Sequence, residues 1–161
     1  MRATEVLTAH HDELRSLMRE LAQTPAGSTD GRRRLVNRLM AELSMHEQIE
    51  DEIFYPATTV LSALVPIAHA EHRQLEDQLA VVLRTGPRGD RFDEELAALI
   101  AAVEHHAGKE ESEMFPEVVA KLGETELGEL GEQLAARLQQ LRGSRLTQLR
   151  LRAKRELIRR L

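Results

Sequence analysis

Two stretches of the chain, HEQIEDEIFYP at His46–Pro56 and HAGKEESEMFP at His106–Pro116, share one arrangement of residues. Each has a Glu four positions after its His and a Pro ten positions after it, with an aromatic residue directly before the Pro. Residues four apart stack on one face of an α-helix. The repeat therefore predicts two helices that each present a His and a Glu side by side.

Both His/Glu pairs fall within apolar stripes on a helical wheel, which predicts that they face the protein interior. The stripe around His46 and Glu50 contains Leu35, Leu39, Leu43, Ile49 and Ile53, and the stripe around His106 and Glu110 contains Leu96, Leu99, Val103 and Met114. His105 lies off this face and is predicted to be a surface residue. A buried His or Glu is unfavourable unless a partner satisfies it.

The rest of the chain also shows helical periodicity, and no segment alternates like a strand. Predicted helices cover residues 3–23, 31–55, 66–84, 91–122, 126–142 and the segment from 144 onward. Asp30 is the predicted N-cap of the second helix, and Pro56 ends or kinks that helix. The pattern predicts an all-α fold: an up-down-up-down four-helix bundle over 1–123, followed by an extension of two C-terminal helices over 124–161. The second and fourth helices then run in the same direction, which brings the two His/Glu pairs to one level.

Composition narrows the classes of function. The 161 residues include no Cys, which excludes disulfides, thiolate metal sites and a Cys nucleophile and fits a cytoplasmic location. No apolar run is long enough for a membrane span, and no signal segment opens the chain. Residues 144–161 carry seven Lys or Arg against one Glu but no aromatic residue. We therefore expect neither a nucleic acid nor a membrane as partner.

The first and third helices add further inward histidines. His72 lies between apolar residues of the third helix, and His10 and His11 are neighbours on the first. A straight wheel slightly favours His10 as the inward residue. Histidines and carboxylates from four facing helices are the ligands with which bundle interiors bind two metal ions. Without thiolates, the set suits iron, manganese or zinc.

The pattern H…HxxxE…H…HxxxE resembles the hemerythrin-like, or HHE cation-binding, family over about residues 3–120. The segment LAARLQQLRGSRL at 134–146 resembles the tail of mycobacterial and other actinobacterial members. The resemblance implies two non-haem iron ions with an oxo or hydroxo bridge, and two bridging glutamates. The ligands that it implies are His11, His46, Glu50, His72, His106 and Glu110. Family spacing of apolar residues favours His11, with His10 as the alternative.

Three more residues are candidates for the site. Oxygen-carrying hemerythrins have two histidines one turn apart on the third helix, whereas this chain has Ala68 four positions before His72 and His69 three positions before it. His69 and Glu47 are therefore accessory candidate ligands. Tyr55 is a candidate second-sphere catalytic residue whose phenol donates a hydrogen bond towards the metal bridge. A straight wheel places Phe54 on the Glu50 face instead, so this role requires a distortion near Pro56.

A metal site with fewer histidine ligands than an oxygen carrier favours oxidised iron and leaves coordination positions open. Resemblance to actinobacterial members also implies peroxide decomposition. We therefore predict an enzyme with catalase-like activity that decomposes hydrogen peroxide and protects against oxidative stress. The alternative is a protein that binds oxygen, nitric oxide or iron as a sensor and signals through its C-terminal helices. In both cases the ligand is a small molecule, and no protein partner is indicated.

Overall fold

The computed structural model describes all 161 residues, and it consists of helices joined by short loops, with no strand. In chain order the elements are α1 (Ala3–Gln23), α2 (Thr29–Ile49), a π-helical turn (Glu50–Phe54), α3 (Tyr55–Thr58), α4 (Val65–Thr85), α5 (Phe92–Lys109), a second π-helical turn (Glu110–Met114), α6 (Phe115–Lys121), α7 (Glu124–Gly143) and α8 (Arg145–Arg160). None of these helices combines the length and the apolar composition that crossing a bilayer requires.

The core helices α1, α2, α4 and α5 form the four-helix bundle expected from the sequence. Helix α1 packs against α2 and α5, and α4 packs against α5. The helix ends follow local signals: α1 stops before Pro25, and Pro66 lies in the first turn of α4, where its missing N–H has no helical partner to lose.

The start of α2 differs from the sequence prediction. Asp30 was predicted to be the N-cap, but the helix begins at Thr29, and Ser28 occupies the N-cap position. The Ser28 carbonyl accepts the first helical hydrogen bond, from the Arg32 N–H at 3.0 Å. Asp30 lies within the first turn, where its negative charge is favoured by the helix dipole.

The apolar core is divided into two clusters by a polar layer. On α1, Leu7 belongs to one cluster and Leu14 to the other, and His10 and His11 lie between them. The other core helices follow the same order, with His46 between Leu43 and Ile49, His72 between Ala68 and Leu75, and His106 between Val103 and Met114. Each core helix therefore contributes a buried histidine to one layer of the bundle.

The two C-terminal helices contact the bundle in different ways. Helix α7 packs along α1 and α2 and buries Leu127, Leu134 and Leu141. Gly131 lies so close to the backbone of Met1 and Arg2 that any side chain would collide there. Helix α8 lies across α4, is capped by the Ser144 hydroxyl, and has no fully buried residue.

Candidate metal centre

Six buried side chains converge in the polar layer. They form two groups whose ligand atoms lie within 4.8 Å of one another: His11, His46, Glu50 and Glu110, and then Glu50, His72 and His106. Glu50 belongs to both groups. Its Oε1 lies 3.2 Å from His46 Nε2, and its Oε2 lies 3.0 Å from His72 Nε2. One carboxylate thus faces both halves of the cluster.

Glu110 also lies between the two groups. Its Oε2 is 3.3 Å from His11 Nε2 and 3.7 Å from His106 Nε2. This arrangement places both motif glutamates in the centre of the cluster, with histidines around them. Two carboxylates between surrounding imidazoles are a suitable donor set for a pair of iron, manganese or zinc ions.

Most of the converging atoms lack a hydrogen-bond partner within the protein. Among the buried side-chain atoms without one are His11 Nε2, His46 Nε2, His106 Nε2, Glu50 Oε1 and Glu110 Oε2. Buried polar atoms without partners are unfavourable, and several aimed at one point are rarer still. Metal coordination would satisfy all of them at once. The residues present therefore fit a metal centre.

Both motifs contain a π-helical turn that begins at the motif glutamate. The turns span Glu50–Phe54 and Glu110–Met114 and end two residues before Pro56 and Pro116. An α-helix advances about 100° per residue, so a residue five positions after the glutamate would point well away from it. Each π-turn inserts one extra residue and brings that position back to the glutamate's face.

Tyr55 is the residue that the first π-turn reorients. Its side chain is buried, and its hydroxyl donates to Glu110 Oε1 at 2.7 Å. The Tyr55 hydroxyl oxygen also lies 3.2 Å from Glu50 Oε2 and 3.1 Å from His72 Nε2. The wheel that placed Phe54 on this face was wrong because it assumed an undistorted α-helix. Phe54 instead packs in the apolar cluster.

Three of the converging histidines have a carboxylate on their second ring nitrogen. The Nδ1 atoms of His11, His72 and His106 lie 2.8, 3.0 and 3.0 Å from Glu111, Asp51 and Glu71 respectively. Such outer carboxylates fix the tautomer and the ring orientation of metal-binding histidines and make them better ligands. The sequence reasoning missed these three residues. In the sequence, the only indication of their role is that each directly follows or precedes a candidate ligand.

His46 is held by a different chain of contacts. Its Nδ1 lies 3.1 Å from His10 Nδ1, and His10 Nε2 lies 3.0 Å from Glu42. Arg142 of α7 donates to the same Glu42 carboxylate at 2.7 Å. The structure thus brings His11, and not His10, to the centre of the cluster. His10 lies behind His46 and supports it.

The other accessory candidates also lie outside the cluster. The His69 side chain is 64% exposed and is 3.5 Å from Asp51. Glu47 is buried, but its carboxylate is not among the converging ligand atoms and its Oε1 makes no hydrogen bond. Burial raises the pKa of Glu47 to about 8. His105 is exposed, as predicted.

The histidines of the cluster have very different pKa values, although each lies on a core helix at the same level. Burial lowers the pKa of His46 to about 3. Burial also opposes protonation of His106, but Glu50 and Glu110 outweigh it and raise that pKa to about 9. Against the same opposing effect, Asp51 and Glu50 raise the pKa of His72 to about 10.

The pKa values of the two motif glutamates are shifted in opposite directions. Although burial opposes its charge, the neighbouring histidines, His46 first, hold the pKa of Glu50 well below its usual value. Burial and the nearby Glu50 carboxylate raise the pKa of Glu110. Burial, Glu50 and Glu110 also raise the pKa of Tyr55, so its phenol keeps its proton.

Known proteins share both the sequence pattern and the architecture. Residues 2–118 match the hemerythrin HHE cation binding domain. The chain is 40% identical over 159 residues to the uncharacterized protein Rv2633c of Mycobacterium tuberculosis and to a protein of Mycobacterium bovis, with 98% of each chain covered. A crystal structure of an HHE cation binding domain-containing protein from Mycobacterium kansasii, an Rv2633c homolog, superposes with a TM-score of 0.86. It is 41% identical and covers 100% of this chain and 99% of its own.

These matches agree with the sequence pattern in two respects. The family match spans the four-helix bundle that contains both His/Glu motifs. The likeness to mycobacterial proteins extends through α7 and α8, as the C-terminal sequence indicated. The chain belongs to the hemerythrin HHE cation-binding family.

Proposed function

We propose that the cluster holds two iron ions and that the protein decomposes hydrogen peroxide in the cytoplasm. The observation that carries this proposal is the position of Glu50, whose two oxygens face different histidine groups at 3.2 and 3.0 Å. A carboxylate placed in this way could hold one ion with each oxygen. His11 and His46 would hold the ion on one side, and His72 and His106 would hold the ion on the other.

The reaction consumes two molecules of hydrogen peroxide and yields one dioxygen and two waters. One peroxide loses two electrons and two protons to become dioxygen, and the other gains them and is cleaved to water. Two iron ions, when bound, would supply the redox chemistry that holds these electrons between the two half-reactions. The protein must position the substrate and manage the two protons.

Tyr55 is the residue best suited to manage those protons. Its hydroxyl lies within 3.2 Å of Glu50, Glu110 and His72, and its raised pKa keeps the proton on the phenol oxygen. A neutral phenol donates a hydrogen bond to an oxygen that gains negative charge. The 2.7 Å hydrogen bond to Glu110 orients the hydroxyl within the cluster. General acid–base groups need this kind of geometry.

The surroundings of the cluster favour a small substrate. The two apolar clusters enclose the polar layer on both sides along the bundle. Between α4 and α5, a gap lined by Ile67, Ala68 and Met114 reaches His106 and Glu110, and its cavity volume is only about 10 Å³. That is close to the minimum for one water molecule. Hydrogen peroxide and dioxygen are closer to this size than larger substrates are.

The test is oxygen evolution from hydrogen peroxide by protein reconstituted with iron under anaerobic conditions. We expect an initial rate well above that of the same concentration of free iron. Iron content is measured on the same sample. Protein that holds two iron ions and evolves oxygen no faster than free iron would contradict the proposed activity.

One observation favours the second candidate function, that of a sensor. Arg142, Glu42 and His10 connect α7 to the candidate ligand His46. A change in metal content or redox state at His46 would reach α7 through these contacts. Hydrogen exchange of α7 and α8 in metal-free, reduced and oxidised protein distinguishes the two functions. A sensor shows a clear change in α7 and little peroxide turnover, whereas the enzyme shows the reverse.

A further inference from the structure

Glu47 is a buried carboxylate that the proposed centre does not use. Its residue exposure is 5%, its Oε1 makes no hydrogen bond, and no basic side chain forms an ion pair with it. A buried carboxylate without partners is strongly unfavourable. Glutamine, nearly the same in shape, would fill the same space. A carboxyl group at this position is therefore unexplained by packing.

The Glu47 carboxylate faces a cleft between α2 and α4, beside α8. We call this the Glu47 cleft; its lining residues are Glu47, Asp51, His69, His72, Arg73, Glu76 and Asp77, and its volume is about 410 Å³. Four carboxylates face one arginine there. The cleft is open to solvent, so a hydrated cation can reach these side-chain oxygens.

The floor of the Glu47 cleft is the back of the metal centre. Asp51 lies in the cleft and contacts His72 Nδ1 at 3.0 Å, while the other ring nitrogen of His72 faces Glu50. Glu47 directly follows His46, and Asp51 directly follows Glu50. The carboxylates of the cleft therefore extend from solvent to within one side chain of the cluster.

A basic residue of α8 occupies the rim of this cleft. Lys154 donates to Glu76 at 2.8 Å. Both residues also line the groove that continues beneath α8, and Glu47 lines that groove as well. Lys154 thus takes up a carboxylate that an incoming cation would otherwise use.

We propose that the Glu47 cleft captures a hydrated divalent cation and delivers it to the metal centre. Glu47, Asp51 and Glu76 provide the oxygen ligands, and Lys154 competes with the cation for Glu76. Carboxylates and retained water suit a divalent cation on its way to a site that also offers imidazoles. The inference rests on the proposed metal centre and adds the route by which that centre is filled.

The test measures how fast the full-length, metal-free protein binds Co²⁺, followed by its visible ligand-field absorption after rapid mixing. Three variants are compared with wild type: Glu47→Gln, Lys154→Gln and the control Glu113→Gln. Glu113 is exposed, has no ion-pair partner and lies outside the cleft, so its variant makes the same substitution elsewhere. Circular dichroism verifies that each variant is folded.

We expect Glu47→Gln to load roughly tenfold more slowly because it lacks a carboxyl ligand for the incoming cation. We expect Lys154→Gln to load faster because the competing ammonium is gone. Final stoichiometry and spectrum remain those of wild type, and Glu113→Gln loads at the wild-type rate. Opposite effects of the two cleft variants cannot arise from a general loss of stability.

Two results would overturn the cleft while leaving the metal centre in place. One is a Glu47→Gln variant that loads at the wild-type rate. The other is a Glu47→Gln variant that loads more slowly and also binds less Co²⁺ at equilibrium, which would make Glu47 a permanent ligand. Wild-type protein that binds no Co²⁺ or Fe²⁺ would instead remove the proposed centre itself.

Discussion

At His46–Pro56 and at His106–Pro116 the chain builds the same structure: a His and a Glu one turn apart, then a π-turn, then a proline-started helix. The residues between the shared positions differ. The residue brought to the cluster by the first π-turn is Tyr55, and its counterpart in the second is Phe115. Phe115 stacks parallel to His11 at 6.1 Å and has no hydroxyl to offer.

The position after each His also differs between the motifs. Glu47 follows His46 and faces a cleft, whereas the buried Ala107 follows His106. The shared positions of the two motifs therefore build a nearly symmetric set of ligands. The unshared positions place the proposed proton donor Tyr55 and the Glu47 cleft on one side only. The positions that the motifs share account for the metal ligands. The positions at which they differ account for the proposed proton donation and cation capture.

Removing either motif glutamate is expected to have the largest effect. Glu50→Ala and Glu110→Ala each lose most iron binding and oxygen evolution, Glu50→Ala more severely because Glu50 belongs to both ligand groups. The loss in metal affinity should exceed the roughly 10–100-fold typical of outer partners alone. Iron content and oxygen evolution are measured together. The exposed neighbour variant His105→Ala serves as control, and equal activity in all three variants would refute the two-sided scaffold.

The difference between Tyr55 and Phe115 predicts the next largest effect. Tyr55→Phe keeps its iron but loses about a hundredfold in oxygen evolution, since it lacks the donor hydroxyl. Phe115→Leu, the matched variant in the second motif, keeps its rate per bound iron and loses about 1–2 kcal/mol of stability through poorer packing. If both variants slow the reaction equally, the hydroxyl has no special role.

The outer carboxylates at equivalent positions should have smaller, similar effects. Asp51 supports His72, and Glu111 supports His11. Asp51→Ala and Glu111→Ala should each weaken equilibrium iron binding about 10-fold or somewhat more. Competition with a chelator measures this affinity. Unchanged affinity in both would show that these carboxylates do not orient the ligands.

The smallest expected effect is a difference in proton release. In the metal-free protein His72 and His106 have pKa values of about 10 and 9, so both are protonated at neutral pH, whereas His46 is not. Metal binding should therefore release about two protons or more, and affinity should rise with pH up to about 9. Calorimetry in buffers of different ionisation heat counts these protons. Release of none would contradict the charge assignment.

The same raised pKa values affect the stability of the metal-free protein. Their contribution is fully present below about 6.5, the pKa of histidine in an unfolded chain. It is lost as the pH rises through the folded values of about 9 and 10. Metal-free protein should therefore melt at a lower temperature at pH 10 than at pH 7.

Much of the fold followed from local pattern. The helical period, the prolines and the Gly-rich loops predicted the bundle and its two added helices, because these signals act within a few residues. The convergence of His72 with the two motif pairs followed from burial of polar residues in apolar stripes. Asp30 was misplaced, by a shift of the helix start that leaves the bundle unchanged. The π-turns that interrupt the predicted helices 31–55 and 91–122 were not predicted.

Features that depend on geometry between helices were harder to predict. The wheel could not place Tyr55 because a π-turn changes the angular position of every residue after it. Asp51, Glu71 and Glu111 look like ordinary surface acids in sequence, and their contacts with histidines appear only once the helices are packed. For the same reason, Glu47 could not be separated from the ligands beside it.

The central claim is that Glu50 joins two metal sites within one bundle. The most direct test is the iron content of the full-length protein, reconstituted with Fe²⁺ under anaerobic conditions and freed of excess metal. We predict two iron ions per chain for wild type, with both lost together in Glu50→Ala because the ligands act as one unit. Wild-type protein that retains less than about half an equivalent of iron, or a Glu50→Ala variant that retains both ions, would contradict this account.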